Sequence, residues 1–235
     1  MNRTVIKAIA LGSLVLGVWL ARAEDYAKSP YPSMAPLDQY LITDRNAEIA
    51  LARSAAPPSV SNDAKVLVLG RNGYETAVEG KNGFVCVVER AWMSKFDSPE
   101  FWNPRGRGPD CYNPPAARTV LPILFLRTKF VLAGKSREEI YESMKAAIEK
   151  KELPPLEPGG MAYMLSKQGH LNDRAGPWLP HLMFYVPLKD AKTWGAGAPD
   201  SPIMINSHFN GAPEPVTEFM VALSEWSDGT PADTH

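Results

Sequence analysis

Three histidines, His170, His181 and His208, lie in the C-terminal part of this chain and are its best candidates for metal or acid–base chemistry. A neutral imidazole is a common ligand for zinc and similar ions, so the three could share one divalent metal if the fold gathered them. Their spacings of 11 and 27 residues match no short ligand motif, and the nearest carboxylates in sequence to complete such a set are Asp173 and Glu214. Ordinary surface or hydrogen-bonded histidines are the alternative. Trp178, Leu179, Pro180 and His181 open an apolar run and set an indole beside an imidazole. With Tyr163, Met164 and Met183 this group could line a ligand pocket or close the edge of a core.

Arg105 and Arg107 flank a glycine in the run 105–110 and have the forked donors that suit a carboxylate or phosphate. Trp92, Trp102, Phe96, Phe101 and Tyr112 stand among prolines between 92 and 115, a composition suited to a binding loop or to an ordered, packed one. No Gly-x-Ser-x-Gly or Ser-x-x-Lys sequence is present to mark an activated serine, and no Gly-x-Gly-x-x-Gly or phosphate loop marks a nucleotide. Cys86 and Cys111 are the only two cysteines. In an oxidising compartment an even count reads first as a disulfide, which here would pin the far end of the aromatic loop. Two separate thiols are the alternative.

The elements that must hold these residues read as α+β. Asn-Gly pairs at 72–73 and 82–83 separate three β-rich runs at 66–69, 74–79 and 84–88, a pattern that predicts a three-stranded antiparallel meander over about 65–90. The middle run alternates Tyr74, Thr76 and Val78 with Glu75 and Glu79, so it has one wet face, whereas the outer two are apolar on both. Thr43 could cap a helix reaching about 54, where two prolines stop it. Ser136 followed by Glu139 forms a capping box for a helix to about 151, and the apolar segment before it, from about 120, reads as a helix that completes an αα-hairpin, with a short buried strand at 121–125 as the alternative. Strands are expected again at 161–165, 181–186, 202–205 and 216–223. The expected architecture is therefore a predominantly antiparallel sheet, or pair of sheets, with an N-terminal arm and helix over 24–60 and one globular α+β domain over 61–235.

Compartment is read from the first 23 residues. Arg3 and Lys7 precede an apolar run at 8–20, and Ala21-Arg22-Ala23 supplies a small-residue cleavage site, so a signal peptide removed before Glu24 is expected. The run is too short to span a bilayer of about 30 Å as a helix. The mature chain has about 210 residues, a net charge near −4 and no charged block. That balance argues against nucleic-acid and electrostatic membrane partners. These features favour a periplasmic or secreted module that binds a small ligand or an envelope protein through the aromatic loop, with no cofactor. A metal-assisted hydrolase built on His170, His181 and His208 is the alternative, and a purely structural envelope component the third reading.

Overall fold

The computed structural model describes residues 29–173, 178–187, 191–206, 209 and 211–232. The leader at 1–23, its cleavage point and His208 lie outside the described residues. Eight strands of the described residues form one sheet: β1 (Lys65–Gly70), β2 (Gly73–Val78), β3 (Val85–Glu89), β4 (Gly108–Tyr112), β5 (Gly160–Met164), β6 (His181–Pro187), β7 (Ile203–Asn206) and β8 (Val216–Ala222). Their order is β2-β1-β3-β4-β5-β6-β8-β7. Every pair is antiparallel except β1 with β3. With its helices the chain is α+β, as its sequence pattern implies.

The expected meander is corrected at one point. The first Asn-Gly turn does make a hairpin of β1 and β2, but β3 crosses to the far side of β1 and pairs with it in parallel, Val66 opposite Cys86. Burial explains the order. Val66, Leu67, Val68 and Leu69 of β1 are all buried and need a neighbour on either side, while β2, with exposed Glu75 and Thr76, is best placed at the sheet edge. The crossing strap is held by Lys65 N–H donating to Phe84 O and by Lys81 N–H donating to Asp63 O. Gly80 lies against the backbone of Lys65, where a Cβ would not fit.

The segment 92–115 also differs from a plain loop, because its end is the central strand β4. Pro109 disguises it: proline has no N–H for a ladder. Pro109 stands opposite Val88 on the β3 side, and pairing with β5 begins only at Cys111, so the missing donor leaves no gap on that side.

Among the described residues, five α-helices complete the fold: α1 (Arg45–Arg53), α2 (Pro58–Ser61), α3 (Pro114–Thr119), α4 (Leu121–Leu132) and α5 (Arg137–Glu149). Asp44 rather than Thr43 caps α1, accepting from the N–H groups of Asn46 and Ala47. The capping box of Ser136 and Glu139 starts α5, and α4 and α5 are consecutive helices in contact with each other. Helix α1 contributes Ala52 to a small core on one sheet face with Val66, Cys86, Val88 and Cys111. The opposite face carries the main core, in which Trp92, Phe101 and Trp102 pack with Leu121, Leu124 and Ile140. A disulfide joins Cys86 to Cys111, which face each other directly across β3 and β4. Among the described residues no helix is long and apolar enough to cross a membrane.

Candidate functional site

Residues directly opposed on neighbouring strands share a sheet face, so register alone gathers a set of polar side chains. Through the pairs Val87 with Asp110, Tyr112 with Ala162, Ala162 with Met183, and Tyr185 with Glu218, one face collects Glu89, Asp110, Tyr112, His181, Tyr185 and Glu218. All six line a cavity of about 590 Å³ beneath the 91–107 segment. Its walls are otherwise largely apolar, with Met164, Met183, Met220, Phe209 and Trp178. Leu171 and Leu179 also line it and are 44% and 50% exposed, so the apolar wall runs out to the surface. An antiparallel bridge between Arg107 and His170, with N–H···O distances of 2.8 Å in both directions, ties the 91–107 segment to the chain after β5.

The electrostatics of this face are unusual for a packed sheet. Glu89, Asp110 and Glu218 are 8%, 2% and 3% exposed. Desolvation pushes the Glu89 carboxyl up to about 7, offset in part by the donated Tyr112 hydroxyl and by Arg127. Asp110 and Glu218 are pushed well above the usual carboxylate range, first by desolvation and then by the other carboxylates of the group. Asp110 Oδ1 and Glu218 Oε2 are buried without a hydrogen-bond partner. Leaving such an atom unpaired costs roughly 1–3 kcal/mol, so both oxygens are acceptors that a donor entering the cavity would satisfy.

The basic side chains nearby are largely committed. Arg90 donates to Glu48 at 2.8 Å and to the carbonyl of Tyr40 at 2.7 Å, with both side chains of the ion pair buried. Arg127 is paired with Glu214 at 2.6 Å, again fully buried. Arg107 donates to the carbonyls of Pro104 and Gly106, and burial lowers it to about 10.

His181 donates from Nδ1 to the carbonyl of Leu179 at 2.6 Å. A carbonyl only accepts, so this contact places the proton on Nδ1 and leaves Nε2 as the basic nitrogen. Burial depresses its pKa and keeps the ring neutral. Trp178 meets the imidazole edge-on at 5.5 Å and donates to Ser166 O. Gly169 lets the indole lie this close, since a Cβ there would overlap the ring.

Of the residues singled out from sequence, the fold brings Arg107, Tyr112, Met164, His170, Trp178, Leu179, His181 and Met183 to the cavity, and leaves Trp92, Trp102, Arg105 and Tyr163 outside it. Trp92 and Trp102 are core, 0% and 3% exposed, so the aromatic segment does not present them as a binding surface. Trp92 donates to Thr128 Oγ1 at 3.0 Å instead. Arg105 points away into an exposed ion pair with Asp173, and the two arginines form no clamp. Tyr163, opposite Cys111, lies on the other sheet face near Phe84.

His170 lines the cavity with its Nε2 held 2.9 Å from Asp173 Oδ1, and Glu214 belongs to the Arg127 pair. Among the described residues no three His, Cys, Asp or Glu side chains stand close enough to hold a metal ion. The histidine set would need His208, outside those residues.

Sequence reasoning missed the carboxylates. Glu218 had a legible signal: it occupies the inward position between Val216 and Met220 of an expected strand. Asp110 had none, because its strand was hidden by Pro109. Comparison with family models, with curated proteins and with solved structures returns no match.

Proposed function

We propose that this chain is an exported protein that binds a small ligand in the cavity and holds it without transforming it. The observation that carries the reading is a largely apolar cavity of about 590 Å³ with unpartnered carboxyl oxygens of Asp110 and Glu218 among the groups that line it. Small-molecule sites combine apolar walls with a few convergent polar groups in this way. Export to the periplasm or medium after cleavage between Ala23 and Glu24 is supported by the leader pattern and by the Cys86–Cys111 disulfide.

Two measurements test the reading. Protein recovered from the culture envelope fraction should begin at Glu24 by intact mass; retention of residues 1–23 would remove the export half. For the binding half, thermal shift against a panel of small amphiphiles should yield stabilising compounds, and Met220→Trp, which fills the cavity, should abolish their effect. A panel without any hit, or hits indifferent to Met220→Trp, would defeat it.

One observation favours hydrolysis as a second reading. Glu89, pushed up to about 7, is suited to proton transfer near neutrality. Chromogenic ester and glycoside substrates should then be turned over by the native chain and not by Glu89→Gln. The metal-assisted form of this reading requires stoichiometric zinc or iron in untagged protein, and its loss in His181→Ala.

A further inference from the structure

Resting on the binding reading, we propose that the ligand is a small organic cation, an amine carried as its ammonium ion, whose charge is received by a buried carboxyl of the cavity, Asp110 or Glu218. Three observations converge on that charge. The first is the pair of buried, unpartnered oxygens, Asp110 Oδ1 and Glu218 Oε2. An ammonium group supplies the donors that these acceptors lack.

The second is the balance of charge around the cavity, taken element by element. Strand β3 brings Glu89 and, just beyond it, Arg90, whose charge Glu48 neutralises. Strand β4 brings Asp110 and β8 brings Glu218, whereas β6 brings only neutral His181 and Tyr185. The covering segment adds Glu100, which accepts from Asn103 at 2.7 Å, together with Lys95 and Arg107. Arg107 is turned to backbone carbonyls, and Arg127 from α4, close enough to act on Glu89 and Glu218, is paired with Glu214. The carboxyls Glu89, Glu100, Asp110 and Glu218 therefore outnumber the lining cations without a carboxylate partner among the described residues, Lys95 and Arg107, so the cavity turns net negative as its buried carboxyls ionise, which an arriving cation promotes.

The third is the wall chemistry. Tyr112 and Tyr185 stack with centroids 6.0 Å apart, and Trp178 lines the same space. Aromatic faces attract an organic cation, most strongly once it is desolvated. The apolar walls suit its carbon skeleton, and an inorganic ion has no set of ligands here among the described residues.

Binding then exchanges charge for charge. Without a counter-charge the carboxyls retain protons because burial disfavours their ionised forms. An arriving ammonium stabilises the carboxylates, so protons leave for solvent as the amine enters, and affinity rises with pH across the range in which Glu89 would otherwise stay protonated.

The test uses isothermal titration of the mature, oxidised protein with phenethylammonium and with its neutral counterpart 2-phenylethanol. At pH 7 the amine should bind at least about tenfold more tightly than the alcohol, a typical gain for a charge-assisted contact. Its heat should differ between buffers of unlike ionisation enthalpy, which reports proton release. The advantage should shrink at pH 5. At least one of Asp110→Asn and Glu218→Gln should bring the amine's advantage over the alcohol down to near unity, and an advantage kept in both would overturn the assignment; should either variant fail to fold, the pH and buffer comparisons on the native chain decide alone. Alcohol binding as tight as amine binding would overturn the cation assignment and leave the cavity reading standing. If neither compound binds, and a wider panel also fails, the cavity reading falls with it.

Discussion

Glu89 illustrates how a single buried carboxyl ties stability to pH. Its folded pKa of about 7 lies above the 4.5 of an unperturbed glutamate, so the folded chain binds the proton more tightly than the unfolded chain. The resulting stability is fully present below about pH 4.5 and is lost as pH rises through about 7, a change of about 3 kcal/mol for this group. Asp110 and Glu218 act in the same direction. Urea unfolding should therefore give a higher midpoint at pH 5 than at pH 7, and Glu89→Gln, whose amide oxygen still accepts from Tyr112, should narrow that difference. An unchanged difference in the variant would show that Glu89 is not the titrating group. Arg127 raises the opposite case, a fully buried ion pair with Glu214 at 2.6 Å. Arg127→Met strands the glutamate without its counter-charge and should cost about 3–5 kcal/mol by denaturant titration. A cost under about 1 kcal/mol would mean that the pair contributes little.

Among the elements, β3 and β4 are central to the site, since two of its acids, Glu89 and Asp110, sit on them and the disulfide joins them on the opposite face. The bond closes a loop of 25 residues, which on the chain-entropy argument stabilises by roughly 3.5 kcal/mol. Reduction should lower the unfolding midpoint accordingly, and unreduced protein should show no thiol titratable in denaturant. Helix α5 depends on a separate local device. Ser136 accepts from the N–H of Glu139 while Glu139 accepts from the N–H of Ser136, so Ser136→Ala should cost about 1 kcal/mol with ligand binding unaffected. A loss of binding in that variant would reveal a coupling that the fold does not suggest.

For the molecule as a whole, covering one sheet face with helix α1 and the other with the 91–107 segment and α4 leaves the cavity between sheet and segment. Trp178 depends on this arrangement, with its indole over Gly169 and its N–H on Ser166. Gly169→Ala should displace the indole, weaken ligand binding and change the tryptophan emission, all without touching a carboxylate. Unaltered emission and affinity would place Trp178 outside the working part of the cavity.

Local signals in the sequence determined the secondary elements that rest on short-range chemistry. Asn-Gly makes the first hairpin, the Ser136 capping box starts α5, and apolar runs set off by turn residues mark β5, β6 and β8, because each depends on residues a few positions apart. Cys86 and Cys111 were also legible, from an even count alone. What only the tertiary structure decided is which strand lies beside which. The parallel placement of β3 against β1 follows from the need to cover β1 on both sides, and the strand character of β4 from partners far away in the chain. The cavity acids were invisible for the same reason: Glu89, Asp110 and Glu218 are spread over more than half of the chain, and nothing relates them until the register of five strands carries them to one face. Desolvation, and with it their shifted acidity, exists only after that assembly, since it is a property of the cavity and not of the residues.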